Sequence, residues 1–270
     1  FGLFGYVFLI SKKKFSSNIF IQSSYLSLIL LVTYISGERM AFATFSLALA
    51  FLFIFLNVNR KSILISISLG ILLIFSVVKL HPFYNDFKVI ESTEHHQGLK
   101  IEKNFKCKEN KQEKCTKIIE VQPNFIEVIK NFNTSAYGEI YLLSLKMFAD
   151  NPITGIGINN YKYLCNSKNS YKNLMVNYNC ASHPHNIYIQ WLTEGGLISF
   201  LFFILYLYYL IKFIIFNNGE RKYKVISLAI ILVLFWPVMS TGSLIKNWYG
   251  ISTFFIIGIC MILSNFKKYY

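Results

Sequence analysis

The sequence predicts an all-α, polytopic helical membrane protein with one large loop between its spans. Three observations predict it. Of the 270 residues, 54% are hydrophobic and only 15% charged, with a mean hydropathy of +0.44, which is too apolar for an ordinary soluble domain. The apolar residues gather into runs close to the roughly 20 residues that cross about 30 Å of hydrocarbon. The cations sit mostly between those runs, on alternate sides. A net charge of +14 often marks a nucleic-acid partner, but this placement reads as membrane topology, and no nucleic acid is expected.

Residues 1–10 are apolar but too short to span, and are read as the tail of a severed span, so the chain is expected to be N-terminally truncated. A signal peptide is disfavoured, because Lys12, Lys13 and Lys14 follow the apolar stretch instead of preceding it. Six complete segments come next, at about 18–36, 40–57, 63–80, 196–216, 225–241 and 249–266. Lys12–Lys14, Arg60 with Lys61, Lys212 with Arg221, Lys222 and Lys224, and Lys267 with Lys268 fall on one side. The opposite connections carry only Arg39, Lys246 and the boundary residue Lys79. By the positive-inside rule the first side, with the C-terminus, is cytoplasmic. One membrane domain is therefore expected, made of spans in 1–80 and 196–270 around a periplasmic loop at 81–195, in a bacterial inner membrane.

The first half of the loop, 81–120, is charged, with Glu91, Glu94, His95 and His96 before a lysine-rich stretch, and is expected to be a mobile excursion. The second half carries order. Residues 139–149 repeat at helical spacing, and Asp150-Asn151-Pro152 ends that helix, since proline disfavours helix at the residue before it. Gly155-Ile156-Gly157 predicts a tight turn. Four of the five cysteines lie in the loop: Cys107, Cys115, Cys165 and Cys180. An even number in an oxidising compartment suggests two local disulfides, although four cysteines allow three pairings. Without Cys-x-x-Cys spacing they do not form a zinc site, and no metal is expected. Cys260, inside an apolar segment, reads as a packing residue.

The chemistry-bearing stretch is His183-Pro184-His185-Asn186-Ile187-Tyr188-Ile189-Gln190-Trp191-Leu192-Thr193-Glu194-Gly195-Gly196, at the end of the loop and immediately before a span. Pro184 suits the first turn of a helix running from about 184 to 194 with Ile187, Trp191 and Leu192 on its buried side. His185 would then stand beside unpaired backbone N–H groups, which disfavour a second positive charge and keep the imidazole neutral and able to accept a proton. The bland alternative is a pair of interfacial histidines capping a helix. Arg39, in the short turn Ser36-Gly37-Glu38-Arg39, is placed to hold a phosphate or diphosphate, or else to snorkel to the headgroups or pair with Glu38. Tyr188, Trp191 and Trp248 are candidates for stacking on sugar rings, against the plainer reading of an interfacial aromatic belt.

Three ordered motifs resemble the O-antigen ligase and polymerase family of bacterial envelope glycosyltransferases. They are Ser36-Gly37-Glu38-Arg39; Lys146 through Gly157, with its helix, Asn-Pro and Gly-x-Gly; and His183-Pro184-His185-Asn186-x-Tyr188-x-Gln190-x-x-x-Glu194-x-Gly196 followed by a span. The likeness covers about residues 20–215. It implies transfer of a glycan from an undecaprenyl-diphosphate carrier to an acceptor hydroxyl at the periplasmic face, in lipopolysaccharide or surface polysaccharide biosynthesis. No cofactor, nucleotide sugar or metal is implied. The acceptor would be the lipid A core (ligase), another carrier-linked glycan (polymerase) or a protein hydroxyl. By motif match His185 or His183 would deprotonate or orient the acceptor, and Arg39 would hold the diphosphate, with Glu194 and Asn186 in support. The family often has an arginine at the start of the helix before Asn-Pro; here that place reads Ser135-Ala136-Tyr137-Gly138-Glu139, leaving Lys130 or Lys146 as substitutes. A rival of another class, a transporter of the same lipid-linked glycan, would prefer broken helices and ionisable residues at mid-membrane, which these spans almost lack.

Overall fold

The computed structural model describes residues 2–12, 15, 18–36, 38–56, 60–80, 87–91, 100–101, 117–121, 132–238 and 241–267. Helices α1 (Gly2–Ser11), α2 (Ile19–Ile35), α3 (Arg39–Phe55) and α4 (Arg60–Leu80) precede the insert. Within it lie strands β1 (Phe87–Glu91), β2 (Lys100–Ile101) and β3 (Lys117–Val121), a 3-10 turn at Phe132–Thr134, and helices α5 (Ala136–Asp150), α6 (Tyr161–Ser167) and α7 (Asn169–Lys172). α8 (Ile187–Phe216) starts at the end of the insert and runs on beyond it, followed by α9 (Arg221–Leu234) and α10 (Asn247–Ser264).

Two helices, α4 and α8, are long and apolar enough to cross a bilayer; α1, α2, Met40–Phe55 and Trp248–Ser264 are shorter apolar helices. Many of their large apolar side chains point outward, such as Ile71, Leu72 and Phe75 on α4 and Leu201, Phe202 and Phe216 on α8. Burial in water would cover them; exposure suits hydrocarbon. Inside, α2 lies along α4, and α9 packs on α3 and α10. Small and hydroxylated residues line the first contact, where the Ser23 hydroxyl donates to the Ser62 carbonyl (3.0 Å) and Leu30 fills the space over Gly70. Such residues let helices approach where no hydrophobic effect drives them together.

The expected segment 225–241 proves to be a shorter helix. α9 stops at Leu234 because Pro237 cannot continue it, and residues 235–238 and 241–246 are not helical. Three short strands are described in and just after the stretch expected to be an excursion, 81–120. β1 pairs with β3 in parallel, Phe87 opposite Lys117, and β2 pairs with β3 antiparallel, in the order β1-β3-β2. The Lys-Val-Ile and Lys-Ile-Ile-Glu-Val stretches are the signal, being short and rich in β-branched residues. His95, His96, Cys107 and Cys115 lie outside the described residues.

The second half of the insert has its own core. Ile140, Leu143, Met147, Ile156, Tyr161, Cys165, Tyr171 and Met175 pack together, apart from the larger cluster in the bundle. Ser135 caps α5 by accepting from the Gly138 N–H (3.1 Å), and Pro152 follows its end. Cys165 and Cys180 are joined as a disulfide, as their spacing suggests.

Candidate active site

α8 holds the key segment. It begins at Ile187, three residues later than expected, with Asn186 as its cap: the Asn186 side-chain oxygen accepts from the Tyr188 and Ile189 N–H groups (3.0 and 3.2 Å). Pro184 and His185 lie before the cap. The side chain of an asparagine, not an open anion site, therefore satisfies the helix end. His185 takes a left-handed conformation (φ 55°), which non-glycine residues adopt at a cost of about 1–2 kcal/mol. That conformation turns the chain from the buried His183 into the capped helix.

The helix bends at Gly196 (φ 66°). There the loop after α5 docks against it, backbone to backbone. Ile156 N–H donates to the Thr193 carbonyl (3.0 Å), Gly157 N–H to Glu194 (2.9 Å), and Leu197 N–H to Pro152 (2.9 Å). A Cβ on Gly155 would come within 2.5 Å of the Glu194 carbonyl carbon, and Gly155 itself has φ 68°. Gly155 thus does more than allow the tight turn expected of it: it admits the helix bend. Beneath this seam the buried Glu194 carboxylate accepts from Asn159 N–H (3.1 Å) and from the Gln190 amide (3.2 Å).

The two histidine rings lie side by side, centroids 4.1 Å apart. Their surroundings differ. His183 is buried; its Nε2 donates to the Thr241 carbonyl (3.2 Å), so its Nδ1 is unprotonated and accepts from the Ser182 hydroxyl (2.9 Å). Burial, followed by the neighbouring His185 and Lys246, pushes its pKa from 6.5 down to about 4. His185 is half-buried, and its ring nitrogens make no hydrogen bond among the described residues. Its pKa is also lowered, first by burial and then by the Lys246 charge. Desolvation comes first among the causes for both rings, and the Lys246 charge contributes to both. Tyr137, at the start of α5, presents its ring edge-on to His185 (6.4 Å).

Of the other candidates, Asn186 also donates to the Pro237 carbonyl (2.7 Å), so it ties the histidine turn to the connection after α9. Lys146 pairs with Asp150 (2.6 Å) on an exposed face. It lies nine residues along α5 from Tyr137, about 14 Å of helix rise from the histidines' end. Arg39 begins α3, but its side chain lies outside the described residues, as does Lys130. Tyr188 donates to the Phe235 carbonyl (2.8 Å) and Trp191 stacks on Phe203, both within the bundle, while Trp248 is almost fully exposed.

Sequence reasoning missed the connection 241–246. Thr241 N–H donates to the His185 carbonyl (2.7 Å) while its own carbonyl holds His183; the Ser243 hydroxyl accepts from Gln190 (2.7 Å); and Lys246 Nζ donates to the Ser182 carbonyl (3.4 Å). The signal was the polar run Thr241-Gly242-Ser243 after a proline, between two apolar segments.

The family model described as O-antigen ligase matches residues 24–204, about two thirds of the chain. That stretch includes α5, the docked loop and the histidine turn. No curated protein and no solved structure matches the chain. With its apolar helices, it is a membrane protein, and it belongs to the O-antigen ligase family, whose activity is ligase- or polymerase-like glycosyl transfer.

Proposed function

We propose that the chain transfers a glycan from an undecaprenyl-diphosphate carrier to an acceptor hydroxyl, with His185 as the general base. The acceptor oxygen attacks the anomeric carbon, and its proton passes to the imidazole. The bond from that carbon to the diphosphate oxygen breaks, and the electron pair leaves with the carrier diphosphate. A diphosphate is a good leaving group, so a neutral imidazole and a cation for the phosphates suffice. The protein works as a polytopic inner-membrane enzyme, with the insert in the periplasm, the C-terminus in the cytoplasm, and lipopolysaccharide or another surface polysaccharide as the product. Arg39 contributes positive charge at the same outer face.

One observation carries this reading. Of the adjacent histidines, His183 has both ring nitrogens engaged by protein, whereas among the described residues none bonds the ring nitrogens of His185. His183 is then a positioning residue. The test is transfer by the purified protein in nanodiscs with a defined lipid-linked donor and alternative acceptors. His185→Ala is expected to lower kcat by about 100-fold or more with insertion and thermal stability intact. Wild-type turnover in that variant would remove the role. The acid limb of the rate profile is expected below pH 6.5, because the base works only when neutral and its pKa is lowered.

A further inference from the structure

A lysine beyond the family match stands beside the two imidazoles. Lys246 is exposed, yet its Nζ reaches back to the carbonyl of Ser182 (3.4 Å), whose hydroxyl bonds His183. Its field reaches both histidines. The carbonyl is a neutral partner, and among the described residues no carboxylate pairs with the ammonium. Among the described residues the acid that feels its charge is Glu194, which is buried and accepts instead from Asn159 and Gln190. The ion pairs among the described residues are Lys146–Asp150 and Lys222–Glu220, neither involving Lys246.

Its backbone is held too. Lys246 N–H donates to the Ser243 carbonyl (3.2 Å), and Ser243 is tied to Gln190 of α8. The same connection grips both histidines through Thr241. An exposed ammonium is thus set on a supported stem next to a neutral base. At the start of α5, the side chain facing His185 is Tyr137, which carries no positive charge. Through Ser182, which bonds both Lys246 and His183, an ammonium is held next to the paired imidazoles.

We infer that Lys246 binds the diphosphate of the lipid-linked donor and sets its anomeric carbon before His185. This rests on the proposed glycosyl transfer, whose leaving group is that diphosphate. As a point charge with three rotatable donors, an ammonium can follow the phosphate oxygens as the bond breaks. It adds to whatever charge Arg39 supplies.

The test measures binding apart from chemistry, with the full chain in nanodiscs. Undecaprenyl diphosphate is the probe, undecaprenol the uncharged control, and phosphatidylglycerol the anionic-headgroup control. Lys246→Met is expected to weaken undecaprenyl diphosphate binding by about 10- to 100-fold, as the loss of a charge-assisted hydrogen bond would. Undecaprenol and phosphatidylglycerol binding should not change, Lys246→Arg should recover most of the affinity, and KM for the donor should rise with the binding loss. Unchanged diphosphate affinity in Lys246→Met overturns the inference, as does an equal loss for undecaprenol (a disturbed fold) or for phosphatidylglycerol (a general headgroup contact). The outcomes are separable from the reading it rests on. If His185→Ala still transfers at the wild-type rate while Lys246→Met loses only diphosphate affinity, the base fails and the phosphate site stands.

Discussion

In the bundle, Ser23, Ser62 and Gly70 bring α2 against α4, and large apolar side chains face outward. The insert is built the other way. Its apolar residues turn inward around Leu143, Met147 and Tyr161, a disulfide closes residues 165–180, and two buried carboxylates take backbone N–H groups. One is Glu194. The other is Glu139, which accepts from both the backbone and the side chain of Asn177 (3.1 and 2.7 Å). The first region is fitted to a solvent that makes no hydrogen bonds; the second must satisfy its polar groups itself. The histidine turn sits where the two meet, and that boundary is where substitutions should be felt most.

The largest effect is expected at the seam. Gly155→Ala puts a methyl into the Glu194 backbone at a positive φ, and should cost about 3–5 kcal/mol, read as lost monodisperse protein and a lower thermal midpoint. Ordinary yield and stability would show the docking to be loose. Next comes the insert alone: Cys165→Ala with Cys180→Ala should cost about 3 kcal/mol, with faster hydrogen exchange across 161–180 and none added in α2 or α4. Equal loosening of both regions would erase the contrast drawn above. Glu139→Ala removes the charge-assisted bonds to Asn177, at about 1–3 kcal/mol, with the same local signature.

A graded effect should follow pH. Folded His183 stays neutral down to about 4, while an unfolded imidazole takes up a proton near 6.5. The unfolded chain therefore binds more protons between these values, so this stabilisation is full above pH 6.5 and declines as pH falls toward 4. Denaturation at stepped pH checks it; His183→Gln should flatten the decline. The smallest effect belongs to Lys146→Ala. That ion pair is exposed, and its loss should cost less than about 1 kcal/mol and leave donor KM unchanged. A raised KM would return Lys146 to the diphosphate.

Much of this was legible in local patterns. Apolar runs placed most helices to within a few residues, and Pro152 marked the end of α5. The later cysteine pair and the family motifs were readable as well. What escaped depends on distant partners. Gly155 and Gly196 are 41 positions apart by number, so no window shows that each clears space for the other. The two histidines are alike in sequence; only Thr241 and Ser182 tell them apart. Asn186 could have been read as a cap, since its short amide suits that role better than Pro184 suits the first turn here. Lys246 looked like a marker of sidedness until the fold carried it to the imidazoles.

The bend at Gly196 has a further consequence. It divides α8 into a lower rod, 197–216, which answers to the thickness of the oil around it, and an upper stub, 187–195, clamped by the docked loop. A bilayer that thins or swells can be met by tilting the rod alone. The His185 imidazole, mounted above the clamp, would keep its position while the lipid composition around it drifts.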